Sequence, residues 1–331
     1  MTPVVIDYDA VAFRAAAAAQ KATIKVVHKE TGREWEFDNR TALWGHYKTK
    51  SGGWIKKQKE KGIEYSPEDF IIEDVVTPEP LANAIQISKR IVERIVKGVG
   101  ADSYYGYVGP DKCFRNDIAT LLPYKGAREG VARPVHLLDV KSYLVKHHAG
   151  ERVEGIETDD QMTIDTWDAY KRGLDLWGAA IDKDFKGCTG KWYNFVDDTK
   201  LIVGTELGEL KRLPKKIDGY GRMFKYFQIC YGDDVDYYFA ACASEVPNGE
   251  VAAYNALQGA KTDKEAWERI VKHYKKLYPE PKVIRNWKDE EFEIDWLYVL
   301  QEITHMVHMQ RWRGDCIDVR QTLDKLGVEY A

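Results

Sequence analysis

Short runs of β-branched and aromatic residues recur along this chain, end on a carboxylate, and give way to stretches with helical periodicity. Val4-Val5-Ile6 ends at Asp7 and is followed by an alanine-rich stretch to about Ala22, a strong helix former. Residues 104–108 and 176–181 read as two further buried strands, the second ending at Asp182, and a brief strand at 153–156 ends at Glu157. Residues 24–37 alternate as a hairpin around Thr31-Gly32. Residues 81–98 place Leu81, Ile85, Ile91 and Ile95 at helical spacing, and 134–148 read as a helix burying Val135, Leu138 and Leu144. A hairpin over 192–195 and 201–204 turns at Asp197-Asp198, with 209–213 as a third strand. An aromatic-rich helix over 219–231 then delivers Gly232-Asp233-Asp234-Val235-Asp236. From Tyr237 the pattern is helical to the end, with helices near 262–277, 290–312 and 316–326 and a turn at Pro247-Asn248-Gly249. The pattern predicts strands alternating with helices up to residue 236 and helices from Tyr237 onward.

Composition narrows the class. Hydrophobic content of 44% with 31% charged residues is that of a soluble globular protein with a sizeable core. The five cysteines are scattered, odd in number and without a Cys-x-x-Cys pair, which fits reduced thiols in a cytoplasm rather than disulfides or zinc. Residues 1–9 lack a signal-peptide pattern, and no apolar run approaches membrane-spanning length. The net charge of −4 is unlike the basic balance of most nucleic-acid binders. Acids gathered into a metal site would make that sum understate a basic face.

The acids are where the chemistry concentrates. Asp7 stands at a strand's carboxyl end, where open α/β sheets place their ligands, while Asp9 could equally be a helix cap. Glu157-Thr158-Asp159-Asp160 opens a helix; Thr158 to Gln161 matches a capping box, and acids suit a first helical turn. That accounts for Asp159 and Asp160 but leaves Glu157, Asp182, Asp184, Asp233 and Asp236 without a structural reason. Carboxylates converging from several segments need positive charge between them, and divalent hard cations take oxygen ligands. Basic groups cluster just past residue 108: Arg115, then Tyr124-Lys125-Gly126-Ala127-Arg128, placed to reach a phosphodiester or to be an ordinary exposed loop. The segment 46–61 interleaves Lys48, Lys50, Lys56, Lys57, Lys59 and Lys61 with Tyr47 and Trp54, beside Trp44; it reads as a solvated loop or a phosphate-binding and base-stacking surface. Gly187 to Lys191 is too short for a phosphate loop, and His305 and His308, among apolar neighbours, do not read as metal ligands.

Taken together, these pieces resemble the flap-endonuclease-like 5′-nuclease family in its bacteriophage and bacterial branch. The resemblance is carried by Val5-Ile6-Asp7-Tyr8-Asp9, Phe114-Arg115, Tyr124-Lys125-x-x-Arg128, Glu157-Thr158-Asp159-Asp160, Asp182-Lys183-Asp184 and Gly232-Asp233-x-x-Asp236, in that order. Gly204-Thr205 through Leu210 is similar to phage exonucleases of this type. It implies an α/β fold, a central twisted, mainly parallel sheet flanked by helices over 1–236 with an all-helical C-terminal region over 237–331. It implies two magnesium or manganese ions, one on Asp7, Glu157 and Asp159, the other on Asp182, Asp184 and Asp233, with Asp236 and Asp160 nearby, directly or through water. It implies Lys125 and Arg128 on the scissile phosphate, supported by Arg115, and Tyr124 stacked on a terminal base. Asp111 lies closer to Arg115 than the family's corresponding acid, which leaves its membership of the metal site open. Where the family continues after its last Asp into a helix–turn–helix that grips duplex DNA beside a potassium ion, this chain has Tyr237-Tyr238-Phe239-Ala240. Only Gly249 to Tyr254 is similar to that element, which argues for weakened duplex gripping or loss of the potassium site. The segment between Arg128 and Glu157 is short, as for a compact arch. The implied function is a monomeric 5′→3′ DNA exonuclease with flap-endonuclease character, acting on 5′ ends, flaps and forked duplexes, with RNA–DNA hybrids a further substrate, in replication or recombination. The rival readings are a PIN-type ribonuclease and a non-catalytic DNA-structure binder.

Overall fold

The run after Met1 forms the strand Pro3–Asp7, which pairs in parallel with Ser103–Val108 on one side and Trp177–Ala179 on the other. The computed structural model describes residues 2–46 and 51–330, so Tyr47, Lys48 and Lys50 lie outside the described residues. The six-stranded sheet runs Thr199–Val203, Gly190–Asn194, Trp177–Ala179, Pro3–Asp7, Ser103–Val108 and Gly150–Arg152. Only the first pair is antiparallel. Its central strand is buried on both faces, which is why it reads as an unbroken β-branched run instead of an alternation.

The connectivity creates the site. The chain steps from Pro3–Asp7 to Ser103–Val108 and on to Gly150–Arg152, then returns to the far side of Pro3–Asp7 for Trp177–Ala179. That reversal opens a crevice at the carboxyl ends of Pro3–Asp7 and Trp177–Ala179, where the loops leading away diverge. Asp7 and Asp182 flank it.

Two compact units make up the chain. One comprises Met1–Val11, Val92–Ala132 and Lys141–Ala331; the other comprises Ala12–Ile91 and Arg133–Val140. The expected division at residue 236 follows neither unit. The helix Arg222–Tyr231 is buried along most of its length and packs against Glu250–Leu257, Asp263–Leu277 and Trp296–Val307, so the C-terminal helices share one core with it. Among the described residues, no helix is long and apolar enough to cross a membrane.

The second unit carries an antiparallel sheet ordered Glu34–Phe37, Gln20–His28, Phe70–Pro78. Trp35, Trp44, Trp54 and Tyr65 pack around Phe70, with Trp54 stacked on Tyr65 at 5.5 Å. Trp44 and Trp54 are therefore half-buried against the core of this unit.

Other expectations shift. The strand expected over 153–156 is Gly150–Arg152, and residues 153–156 lead into the next helix. Val135 and Leu138 are exposed, because the buried stripe of Leu137–His147 is Leu137, Val140 and Leu144, offset by one position. A hairpin, Lys282–Arg285 with Glu291–Ile294, interrupts the region expected to be all helix; its two-residue alternation lay between stronger helical signals.

Candidate metal centre

Each acid is delivered by the end of a regular element. Asp7 closes the central strand and accepts from the Ala10 amide at 3.0 Å, so it caps the helix Tyr8–Ala18. Asp9 is not that cap. It accepts from the Gly109 amide and the Thr158 hydroxyl, each at 2.8 Å, and pairs with Lys141 at 2.6 Å, pinning the segments that follow two neighbouring strands. Glu157 and Asp159 sit at the N-terminus of Thr158–Arg172. Asp182 follows Trp177–Ala179 and accepts from the Asp184 amide at 2.9 Å, which turns the chain into the 3-10 helix Lys183–Gly187. Asp233 arrives through Gly232, whose φ of +112° leaves a side chain no room, since a Cβ there would lie 2.2 Å from the Tyr238 carbonyl oxygen.

These positions put like charges together. Burial, then the charges of Asp9 and Asp182, push the Asp7 carboxyl up to about 7. Burial and the charges of Asp7, Asp182 and Glu157 raise Asp159 well above the carboxylate range. Burial and the charges of Asp182, Asp233 and Asp236 do the same to Asp184. Asp182 presses on all three, so it stands between the two groups of acids. Asp111, exposed in the loop after Ser103–Val108, is not among the largest influences on any of them.

Lysines answer part of the charge. Lys125 pairs with Glu157 and stands 3.9 Å from Asp236, whose other cation is Arg128 at 3.0 Å. Despite burial, Lys125 and Arg115 hold Glu157 below the usual carboxylate range. Lys183, to which the sequence pattern assigns no role, lies 2.6 Å from buried Asp233; its position between Asp182 and Asp184 is the available signal. Lys125 and Tyr237 both adopt left-handed backbone, with φ of 58° and 60°, and the Lys125 amide donates to the Asp236 carbonyl at 2.9 Å. Strain of this kind, over-determined by its surroundings, collects at functional sites.

Three assigned roles change. Arg115 is 1% exposed and donates to Asp160, Glu157 and the carbonyls of Met306 and His308, so it cannot reach a substrate. It is a positioning residue. Asp160 is fully buried, and its oxygens accept from two Arg115 nitrogens and from the Gln310 and Glu157 amides. Its lone pairs are committed, which removes it from the metal ligands. Tyr124 is 8% exposed, and its hydroxyl lies 2.7 Å from Glu157 and 3.1 Å from Asp236, sharing its one proton between the two carboxylates. It orients two acids and offers no face to a base. Gly249 is the N-cap of Glu250–Leu257, which connects through residues 258–262 to Asp263–Leu277.

Among the described residues, no three acid, histidine or cysteine side chains converge closely enough to hold a cation as they stand. The donor chemistry nonetheless fits a hard divalent cation: every candidate is a carboxylate oxygen, three are raised by burial and by the charges of neighbouring acids, and the positive charge now present comes from lysines. A bound cation would have to displace Lys125 from Glu157 and Lys183 from Asp233.

Behind Arg115, His308 stands with Nε2 2.9 Å from Asp315, and burial and the neighbouring Lys225 push its imidazole down to about 3. The unfolded chain therefore takes up a proton near pH 6.5 that the folded chain refuses until about pH 3. Stability from this group is complete above pH 6.5 and is lost as pH falls. Unfolding free energies measured between pH 7 and pH 4 should drop with a slope approaching about 1.4 kcal/mol per pH unit from this residue, and His308→Gln should flatten it. An unchanged slope in the variant would place the acid sensitivity elsewhere.

Neither a family model nor a curated protein sequence matches the chain. Among solved structures, it is similar to the bacteriophage T5 D15 protein co-crystallised with metal ions, at 13% identity and a TM-score of 0.48, covering 98% of this chain and 97% of that one. It is also similar to T5 5′-exonuclease with bound zinc, at 17% identity and a TM-score of 0.45 over 75% and 89% of the two chains. A third is a pseudo-enzyme-product complex of the T5 D15 flap endonuclease with DNA and metal ions, at 15% and 0.39 over 57% and 70%. At these scores the likeness is loose, and the chemistry rests on the residues themselves.

Proposed function

We propose that this chain is a metal-dependent nuclease that cuts DNA at 5′ ends, flaps and forks, a 5′→3′ exonuclease with flap-endonuclease character serving replication or recombination. One observation carries the reading. Asp7, Asp159, Asp182, Asp184 and Asp233 come from four separate segments to the crevice at the strand ends, where burial and the charges of neighbouring acids raise Asp7, Asp159 and Asp184, and Lys183 holds Asp233. Such repulsion weakens the fold and makes sense where it holds cations. Asp7, Glu157 and Asp159 would hold one magnesium or manganese ion, and Asp182, Asp184 and Asp233 a second. Bound there, the ions would lower the pKa of the attacking water and offset charge on the leaving oxygen.

The remaining steps belong to the protein. Lys125 and Arg128, at the rim beside Glu157 and Asp236, exchange those carboxylates for phosphate oxygens as a strand enters. Tyr124 keeps Glu157 and Asp236 oriented while they do so. Arg115 and Asp160 fix the helical turn that carries Glu157 and Asp159. Residues 1–236 thus supply the chemistry, and residues 237–331, with Gly249 at a helix start, would grip duplex.

Cleavage of a 5′-labelled forked DNA duplex, with magnesium and then with EDTA, tests this directly. Short 5′ products only with magnesium are expected; equal or greater cleavage of the matched RNA flap would move the assignment to a ribonuclease. Lys125→Met should lower kcat about 100-fold, the effect of removing one electrostatic stabiliser. Arg128, 52% exposed in its side chain, should mainly raise KM when changed to Ala. Steady-state kinetics on the same fork separate the two, and unchanged constants in both variants would remove them from the site.

A further inference from the structure

A cavity of 340 Å³, with Asp184 among its lining residues, opens between the helices Thr158–Arg172, Arg222–Tyr231 and Asp263–Leu277. Its volume is in the range of small-molecule sites. Trp167, Tyr226 and Trp267 contribute aromatic wall, and Arg222, Lys225, Arg311 and, from an exposed position, Lys325 contribute cationic groups.

Two of those cations are already neutralised. Arg222 pairs with Asp263 through two nitrogens at 2.8 and 2.9 Å, and Arg311 pairs with Asp315 at 2.7 Å. Lys225 is different. Its ammonium donates to His308 Nδ1, and His308 turns its other nitrogen to Asp315, so the imidazole is neutral and supplies no counter-charge. Among the described residues, no carboxylate forms an ion pair with Lys225. The nearby Cys188 thiol, pushed up to about 12 by burial, is neutral as well. Burial lowers the Lys225 ammonium to about 8, which still leaves it charged at neutral pH. The buried Thr163 hydroxyl lies on the same wall and, the Cys188 thiol aside, is unpartnered.

A desolvated ammonium without an anion is costly, and a cavity in front of it lets a ligand provide one. Cationic and hydroxyl donors at one end and the half-buried Trp167 indole on the wall match a phosphate monoester carried on a flat aromatic body. We propose that this cavity is a second ligand site that takes a nucleoside 5′-monophosphate, its phosphate on Lys225 and its base against Trp167. The choice of a nucleotide rests on the nuclease reading, since mononucleotides are its smallest products; the anion site itself does not.

Calorimetry on the full chain in EDTA, with thymidine 5′-monophosphate, inorganic phosphate and thymidine as titrants, tests the proposal apart from cleavage. The monophosphate should bind one to one and more tightly than either fragment. Lys225→Met should weaken it about tenfold or more, as loss of a charge-assisted hydrogen bond does, with the unfolding midpoint unchanged or raised. Trp167→Leu should weaken the monophosphate but not inorganic phosphate, and keeps the test available if the Lys225 variant fails to fold. Asp182→Asn should leave binding intact. No binding of the monophosphate, equal affinity for phosphate alone, or loss in Asp182→Asn with retention in Lys225→Met would each overturn the site.

Discussion

Exchanging Asp184 for asparagine is expected to abolish magnesium-dependent cleavage and to raise the unfolding temperature of the metal-free protein. The two effects have one cause. Burial and the charges of Asp182, Asp233 and Asp236 raise the Asp184 carboxyl in the fold. A carboxyl whose folded pKa lies above its unfolded value of about 3.8 costs stability once pH rises past that value. Asparagine removes the charge while its amide oxygen can still accept from Gln228 Nε2, which lies 2.5 Å from Asp184. A gain of about 2–4 °C, the shift made by about 1 kcal/mol in a domain of more than 150 residues, is the expected size. Magnesium should raise the midpoint of the parent and raise that of the variant less. A variant that is inactive and also less stable would show that Asp184 is held by favourable contacts, and a fully active one would remove it from the centre.

Arg115→Ala should be the most damaging single change away from the acids themselves. The guanidinium and Asp160 are buried together, and truncating one partner strands the other charge without solvent. Breaking a buried pair of this kind costs about 3–5 kcal/mol. The unfolding midpoint should fall by about 10 °C or more, and cleavage should fall with it, because Asp160 anchors the turn that presents Glu157 and Asp159. Pairing Arg115→Met with Asp160→Leu should recover much of the stability, since neither charge is then stranded. Activity need not return, because Glu157 would still lack the Arg115 contact at 3.1 Å. A single variant as stable as the parent would contradict the buried-pair account.

The acids were legible in the sequence because strand ends and helix starts announce themselves locally. Val4-Val5-Ile6 before Asp7, the capping pattern after Glu157 and the glycine before Asp233 each mark a chain reversal. The basic residues were visible too, but their roles were not. Arg115 and Lys125 have the same charge and lie ten positions apart in one loop region, yet one is sealed under Met306 and His308 while the other reaches the rim. Only contacts with residues nearly two hundred positions away separate them. The burial of Tyr124 is hidden from the sequence for the same reason, since it depends on core packing that includes Tyr238. The second unit's aromatic residues, interleaved with lysines, looked like a nucleic-acid surface until three strands folded Trp35, Trp54 and Tyr65 around Phe70.

By itself, then, the order of residues determined the parallel sheet, the places where its strands end, and the carboxylates set at those ends. These are local outcomes of periodicity, β-branching and capping, which act over a few residues. The tertiary structure alone decided which carboxylates face one another, which are matched by Arg115, Lys125 or Lys183, and which cation, Lys225, is left facing a cavity without a counter-charge. Burial and charge pairing act through space between distant segments, and no local pattern encodes their sum.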